Sequence, residues 1–223
     1  AGEAYAAGGI AVSVEATRAA NDYELTRLGI GRVAEAVSQG TTYLETKTGY
    51  GLDVENEARS ARIAASLVDE VSYLGAHLVP AGMDADAYTD LVCGEMLEAV
   101  RPYVDWADVF CEAGAFTPEQ SRRVLEACRD AGLGLRVHGN QLGPGAGVAL
   151  AVEFGAASVD HVNYLTDDDV AQLAASWSRW DWGAGQRGTV ATVLPACDLS
   201  TRQPLAPASR LLDAGVQIAI ASN

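Results

Sequence analysis

The sequence predicts an α/β fold of the (β/α)₈ TIM-type barrel class, incomplete because seven of the eight strand-helix units can be recognised. Short apolar runs rich in β-forming residues alternate with longer segments that carry apolar residues at helical spacing. The strand ends recur roughly every 30 residues, the length of one strand-helix unit, and such crossovers return the chain in parallel. No GxGxxG follows the first strand, which favours a barrel over a doubly wound open sheet.

The predicted elements follow one another regularly along the chain. The predicted strands are 41–46, 70–76, 106–111, 134–139, 158–162, 189–195 and 217–223. The predicted helices between them are 54–68, 84–104, 117–132, 145–156, 166–176 and 204–215. Thr117 and Gln120, with Pro118 between them, form a capping-box start, and Thr166 with Asp169 forms a weaker one.

Both ends of the chain differ from those of a complete barrel. Residues 1–40 are mostly helical in pattern and lead into the strand at 41, so the first barrel strand would precede Ala1. The chain begins without Met and stops at Asn223, directly after a strand-like run. We expect residues 1–223 to be one partial barrel domain, a fragment that lacks its N-terminal and C-terminal parts.

One segment interrupts the alternation of strands and helices. Residues 177–187, "WSRWDWGAGQR", hold three of the four tryptophans where a short turn would suffice. We interpret this segment as an exposed insertion away from the chemistry. A partner-contacting loop is the alternative, because clustered Trp and Arg are favoured at interface centres.

Composition limits the classes of function. A formal net charge of −15 opposes binding to nucleic acids or anionic membranes, which attract positive surfaces. No apolar run reaches the roughly 20 residues that span a bilayer. The four cysteines are far apart, lack a CxxC pattern and lie in apolar sequence, which is typical of reduced thiols. We therefore expect a cytoplasmic protein.

All three histidines lie at or just past predicted strand ends. His77 follows 70–76, His138 ends the strand of "LRVHG", and His161 lies in "VDHV". In a parallel barrel these ends carry the active site. Neutral imidazole binds zinc or ferrous iron, and such an ion lowers the pKa of water to about 7. A satisfied structural role is the alternative for any single histidine, and no HxH or HExxH completes a metal site.

Other polar residues are predicted at the same rim. The loop "ETKTGYGLD" offers Lys47, Thr48 and Tyr50, and two glycines shape it. Glu112 follows the strand at 106–111, and Gln141 lies three residues past His138. Glu45 is the other acid predicted at a strand end. Nothing resembles a serine nucleophile elbow or a phosphate-binding P-loop.

Seven blocks in order resemble the imidazolonepropionases, cyclic-amide hydrolases of the amidohydrolase superfamily. The blocks are "TTYLETKTGYGLD", "YLGAHLVP", "ADVFCEAGAFTPEQSRRVLEA", "VHGNQLGPGAG", "ASVDHVNYL", "ATVLPACDLSTRQPLAPASRLLDAGV" and "IASN". They cover nearly the whole chain apart from 177–187. The resemblance implies a (β/α)₈ barrel, with a small β-sandwich from the chain termini that is absent here.

The resemblance also assigns roles to individual residues. It implies that His138 binds one Zn²⁺ or Fe²⁺/Fe³⁺ ion, and that His161 and Gln141 are catalytic, assisting the hydrolytic water or the leaving nitrogen. Tyr50, His77 and Gln141 match substrate-binding positions, where they would hold the propanoate and the ring oxygen. Asn223 stands where the family usually has an aspartate ligand. The first-strand HxH ligands of the family have no counterpart in these residues.

The activity implied by the resemblance is hydrolysis of the cyclic amide of 4-imidazolone-5-propanoate to N-formimino-L-glutamate, in histidine degradation, by metal-activated water. The expected partner is then this small-molecule substrate. Binding to nucleic acid or to a membrane is not expected, and formation of a homodimer is left open. Two alternatives remain. One is another cyclic amidohydrolase or deaminase of the superfamily, and the other is a non-catalytic fragment without the full metal site.

Overall fold

One parallel sheet organises the molecule. A computed structural model describes residues 10–178 and 188–222, and its seven strands are hydrogen-bonded in chain order. The strands are β1 (Glu45–Lys47), β2 (Glu70–Ala76), β3 (Trp106–Cys111), β4 (Gly134–Gly139), β5 (Ser158–His161), β6 (Val190–Val193) and β7 (Ile218–Ile220). A doubly wound sheet would reverse its strand order, whereas this order runs in one direction, as in a barrel. The predicted incomplete barrel is confirmed.

Helices connect the strands. They are α1 (Ala11–Ala19), α2 (Asp22–Ser38), α3 (Val54–Ala65), α4 (Ala85–Leu91), α5 (Leu97–Val100), α6 (Pro118–Asp130), α7 (Gly147–Glu153), α8 (Asp167–Trp177), α9 (Pro195–Thr201) and α10 (Ala208–Asp213). Both predicted capping boxes form: the Thr117 hydroxyl accepts from the Gln120 amide at 3.2 Å, and the Thr166 hydroxyl from the Asp169 amide at 3.1 Å. Within the described ranges, no helix combines the length and apolar character needed to cross a membrane.

Four predicted strands, β1, β5, β6 and β7, have different boundaries in the structure. β1 begins at Glu45, so Glu45 lies at the start of the strand and not at its carboxyl end as predicted. β6 ends at Val193, and α9, a helix that was not predicted, begins at Pro195. Proline has a fixed φ and no N–H, which suits the first position of a helix and ends the strand before it.

The core lies between the sheet and the helices. Its largest fully buried apolar side chains include Tyr73, Tyr88, Phe116, Leu125 and Leu173. Burial of one such side chain contributes about 1.5–3 kcal/mol. The four cysteines are all in the described residues and form no disulfide, as their spacing predicted.

A π-helical segment, Val92–Met96, joins α4 to α5 behind β2. Its Gly94 departs from helical geometry, with φ −110° and ψ −108°. The Tyr73 hydroxyl on β2 donates to the Val92 carbonyl at 3.0 Å, and the Tyr88 hydroxyl on α4 donates to the Gly75 carbonyl at 3.0 Å. Two phenols therefore tie the carboxyl half of β2 to this helical layer.

Two predicted features fall mostly or wholly outside the described residues. Of the predicted insertion at 177–187, only Trp177 and Ser178 are described. Trp177 ends α8, and its indole N–H donates to the Thr189 carbonyl at 3.0 Å. The predicted metal ligand Asn223 lies outside the described residues.

Candidate active site

The three histidines meet at the carboxyl end of the sheet. His77 directly follows β2, His138 lies in β4, and His161 is the last residue of β5. All three are buried. The rings of His138 and His161 lie 5.0 Å apart between centroids.

These rings belong to a continuous row that also contains Tyr50 and Phe110. Tyr50 packs edge-on against His77 at 5.1 Å, and His77 against Phe110 at 5.9 Å. Phe110 in turn packs edge-on against His138 at 6.2 Å. The row joins residues from the loops after β1 and β2 to the strands β3, β4 and β5.

A cavity of about 900 Å³ lies beside this row. Its lining includes all five described residues predicted as site residues: Tyr50, His77, His138, Gln141 and His161. Each of them comes from the carboxyl end of a strand or the loop that follows it, the part of a barrel that carries active sites. The structure thus gathers them in one place, while their individual roles remain predictions.

Strained backbone surrounds two of the histidines. His161 and the following Val162 have φ values of +81° and +49°, and Asn140 has +56°. Positive φ is unusual for residues with side chains and costs of order 1–3 kcal/mol, so it persists only where the surroundings enforce it. The Asn140 carbonyl accepts from the Tyr164 amide at 2.9 Å, and its side chain donates to the Tyr164 carbonyl at 3.0 Å. Asn140 therefore joins the loops that follow β4 and β5.

A group of titratable side chains, four of which line the cavity, forms what we call the upper layer: Lys47, Asp108, His138, Asp160 and His161. Asp108 Oδ2 lies 2.9 Å from His138 Nδ1 and 3.0 Å from Lys47 Nζ. Lys47 Nζ is also 3.8 Å from Asp160 Oδ2. Asp108 Oδ2 and the Nδ1 atoms of His138 and His161 are buried, and no described residue makes an aligned hydrogen bond to them.

A second charged group, the lower layer, fills the other end of the sheet: Glu45, Glu70, Ser72 and Arg136. The Arg136 guanidinium lies 2.8 Å from Glu45 and 2.9 Å from Glu70, and it donates to the Ser72 hydroxyl at 2.9 Å. Its planar face also stacks over the Trp106 ring at 4.4 Å. Lys47 links the two layers because Nζ lies 3.2 Å from Glu45.

Burial and charge shift the pKa values of the histidines in different directions. Burial alone would lower the pKa of His138, but the carboxylates of Asp108 and Asp160 outweigh it and raise that pKa. Burial, reinforced by the charge of His138, lowers the pKa of His161 to about 2. Burial likewise lowers the pKa of His77 to about 4. Both His77 and His161 are therefore neutral rings at pH 7.

Asp108 and Lys47 of the upper layer remain charged. Burial would raise the pKa of Asp108, but His138 and Lys47 together hold it well below its usual value. Burial would lower the pKa of Lys47, yet Asp108 and Asp160 raise it well above its usual value. Lys47 therefore acts as a fixed cation and not as a proton acceptor.

Glu112 supports the loop that carries Gln141. Its Oε1 accepts from the Gln141 backbone N–H at 2.5 Å. Glu112, which was predicted at the rim, therefore stabilises the backbone of the loop after β4. Burial raises the pKa of Glu112, although the amides of Gln141 and Leu142 partly offset this. The Gln141 side-chain nitrogen lies 4.0 Å from Cys197 Sγ.

Sequence reasoning missed Asp108, Phe110 and Asp160. A signal was present, because Asp108 and Asp160 are single acids inside otherwise apolar strands, "WADVFC" and "SVDHV". Charged residues are rarely buried unless they are paired. Asp108, Phe110 and His138 also share one face of the sheet, since residues two apart on a strand point the same way and Phe110 aligns with His138.

Asp108, His138 and Asp160 fit a metal ion as a donor set. Their ligand atoms all lie within 4.8 Å of one another, and all three residues are buried. One imidazole nitrogen and two carboxylates suit zinc or iron. When His138 is neutral, as a metal ligand must be, Lys47 offsets only one of the two carboxylate charges, and the remaining negative charge attracts a cation. The buried atoms without aligned hydrogen bonds support the same fit.

Solved structures with a similar fold are deaminases. The chain matches adenine deaminase from Arthrobacter aurescens at TM-score 0.65 and 14% identity, covering 94% of this chain and 65% of that one. Guanine deaminase from C. acetobutylicum matches at 0.64 and 8%, covering 95% and 52%. A zinc-bound adenosine deaminase from Xanthomonas campestris matches at 0.60 and 16%, covering 94% and 48%. These likenesses show that the chain shares the fold of these deaminases.

Curated relatives with high sequence identity to the chain are imidazolonepropionases. The chain is 78% identical over 223 residues to imidazolonepropionase from Arthrobacter sp. (strain FB24), and 76% identical over 225 residues to that of Paenarthrobacter aurescens (strain TC1). The Micrococcus luteus relative is 64% identical over 230 residues. No family model matches the chain. Over its whole length the chain therefore matches a part of imidazolonepropionases.

The chain spans only part of these relatives. All of this chain aligns with each relative, but it covers 56%, 55% and 57% of their lengths. The aligned part contains the whole described cavity.

Proposed function

We propose that the protein hydrolyses the cyclic amide of 4-imidazolone-5-propanoate to N-formimino-L-glutamate, as a cytoplasmic enzyme of histidine degradation. The observation that carries the proposal is the single cavity lined by Tyr50, His77, His138, Gln141 and His161. A chain 78% identical to a named imidazolonepropionase supports the choice of substrate.

We assign His138 as a ligand of one zinc or iron ion, with Asp108 and Asp160 as the nearest carboxylates. When bound, such an ion polarises a carbonyl and makes water more acidic. The β4 and β5 strands align His138 with Asp160, and Asp108 contacts His138 Nδ1 at 2.9 Å. The chain therefore fixes the imidazole between two acids, which limits its rotation.

His161 and Gln141 handle the water and the developing charge in this proposal. The neutral His161 ring has a buried Nδ1 that no described residue bonds, so one ring nitrogen is available to a water or to the leaving nitrogen. The Gln141 amide can donate to the oxyanion of the tetrahedral intermediate, a contribution worth about 10²–10³ in rate in comparable sites. The Glu112 contact fixes the backbone from which Gln141 projects.

Tyr50 and His77 bind the substrate in this proposal. Their rings pack edge-on and line the same cavity wall, with Tyr50 partly exposed at its entrance. The apolar edges of Phe110 and Leu74 complete this wall and exclude water from the ring of the substrate.

The test is a hydrolysis assay of the full-length protein that carries this sequence. We expect loss of 4-imidazolone-5-propanoate, formation of N-formimino-L-glutamate and loss of turnover after chelation. His138→Ala is expected to remove both bound metal and activity, by about 10³-fold or more if the ion supplies several kcal/mol. Arg129→Gln, on the exposed end of α6, is the matched control. Metal-independent turnover, or full metal occupancy in His138→Ala, contradicts the assignment.

Deamination of a related ring is the second candidate, favoured by the deaminase fold of the solved structures. A panel of cyclic amides and aminated heterocycles separates the two, because ammonia is released only in the deamination. A chain without catalysis is the third reading. Metal analysis and size-exclusion chromatography of residues 1–223 test it, and a monomer with stoichiometric metal argues against it.

A further inference from the structure

A buried carboxylate organises the loop that carries Tyr50. Glu57, in the first turn of α3, is fully buried. Its Oε1 accepts from the amides of Gly51 at 2.6 Å and Leu52 at 2.9 Å, and the Gly49 amide donates to Oε2 at 2.9 Å and to Oε1 at 3.2 Å. Successive backbone N–H groups that converge in this way form an anion-binding concavity, and here the anion is part of the chain.

The loop can adopt this shape only because of its glycines. Gly49 has a φ of +103°, and a methyl group there would lie 2.6 Å from the Leu74 carbonyl oxygen. A methyl group on Gly51 would lie 2.6 Å from the backbone nitrogen of Glu57. Leu52 also has a positive φ, +54°. The loop is thus held in a strained conformation by contacts with one side chain.

The same loop contacts His77 through its backbone. The Gly49 carbonyl oxygen lies 3.0 Å from His77 Nδ1. A carbonyl oxygen only accepts, so Nδ1 must carry the proton. The ring is neutral because burial lowers the pKa of His77 to about 4, and the other nitrogen, Nε2, is therefore an acceptor.

We propose that Glu57 is a positioning residue that fixes the ring tautomer of His77 through the backbone of residues 49–51. Glu57 holds the Gly49 N–H before the Gly49–Tyr50 peptide unit and the Gly51 N–H after it, and fixing both flanks keeps the Gly49 carbonyl aligned with Nδ1. His77 then offers Nε2 as a hydrogen-bond acceptor at the cavity wall. The ligand group that it recognises is a ring N–H and not a carbonyl oxygen. This last step rests on the proposed function, whereas the tautomer does not.

The substitution Glu57→Gln separates the individual contacts. An amide oxygen at the Oε1 position still accepts from Gly51 and Leu52, but an NH₂ group then faces the Gly49 N–H, and two donors repel each other. The loss is therefore centred on Gly49, which keeps only its longer contact with the oxygen at the Oε1 position. Glu55→Gln is the matched control, because Glu55 is exposed in the same turn of α3.

The measurement is ¹⁵N NMR of histidine rings in the full-length protein at pH 7, with His77 assigned by His77→Asn. We expect Nδ1–H in the wild type and in Glu55→Gln, and a shift to Nε2–H or a mixture in Glu57→Gln. Should Glu57→Gln fail to fold, Glu57→Asp, which keeps both acceptor oxygens, is expected to give an intermediate tautomer and faster exchange of the Gly49 amide. An Nε2–H ring in the wild type, or a wild-type tautomer in a folded Glu57 variant, overturns the proposal.

Kinetics of the same variants add a second readout. Loss of one hydrogen bond to the substrate is expected to raise KM up to about tenfold in Glu57→Gln, with kcat within about twofold. An unchanged KM together with a changed tautomer overturns the assignment of the N–H group. A wild type without hydrolase activity defeats the proposed function but leaves the tautomer result standing, so the two failures are distinguishable.

Discussion

The two charged layers inside the sheet differ in how completely their groups are paired. In the lower layer, Arg136 contacts two carboxylates and a hydroxyl and stacks on an indole ring. In the upper layer, Asp108, His138 and His161 each have a buried atom to which no described residue makes an aligned hydrogen bond. A fully paired layer stabilises the fold, whereas an incompletely paired one retains bonding capacity for a ligand. In a barrel, stability is associated with the amino end of the strands and chemistry with the carboxyl end.

The largest effect is expected from the cation that links the layers. Lys47→Met leaves the fully buried Asp108 with His138 as its only close cationic partner. Removing one member of a buried ion pair costs about 3–5 kcal/mol, because a charge is left uncompensated. Urea unfolding measures this loss, and Lys47→Arg, which keeps the charge, should recover most of it. A loss below about 1 kcal/mol would show that Asp108 is neutralised in another way.

The rim above the upper layer is expected to respond to pH. The pKa of His77 is about 4 when folded against an ordinary value of 6.5, so the unfolded chain binds more protons between these values. The stabilisation is complete above about pH 6.5, decreases as the pH falls and is lost below about pH 4. The shift corresponds to about 3 kcal/mol.

Unfolding experiments at pH 7, 5.5 and 4.5 measure this effect. His77→Asn is the comparison, because its amide can still donate to the Gly49 carbonyl but does not titrate. We expect the wild type to lose more stability on acidification than the variant. Equal losses in both proteins argue against a buried neutral His77.

The lower layer is expected to affect stability without affecting the site. Arg136→Met leaves Glu45 and Glu70 without their main partner, but both acids are partly exposed, so we expect a cost of about 2 kcal/mol. Metal content and the His77 tautomer should not change. The exposed ion pair Arg122–Glu153 is the comparison for this stability loss, because Arg122→Gln is expected to cost less than about 1 kcal/mol. Loss of metal in Arg136→Met would remove the distinction between the layers.

Much of this arrangement was predictable because it depends on local patterns. The alternation of apolar runs and helical segments predicts β2, β3 and β4 with their observed bounds, and it places the histidines at strand ends. The capping boxes of α6 and α8 follow from side chains three residues apart. Each of these signals needs only neighbours along the chain.

The charged layers could not be predicted in the same way. Lys47, Asp108 and Asp160 are far apart in sequence, and their contacts depend on how far each strand is displaced along the next. Glu45 shows this clearly, because a shift in the bounds of β1 moved it from the predicted active rim to the opposite layer. The hydrogen bonds of Glu57 could not be predicted from sequence either, since its partners are backbone amides and not side chains.

The phenol contacts of Tyr73 and Tyr88 give β2 an anchor on the side away from the cavity. Tyr73 holds the Val92 carbonyl at the π-helical segment, and Tyr88 holds the Gly75 carbonyl two residues before His77. The position of His77 in the cavity lining is therefore set partly by a π-helical segment that is not part of the described lining. An insertion or deletion in Val92–Met96 should therefore displace His77 from behind the sheet, although the amino-acid identity of every cavity-lining residue is unchanged.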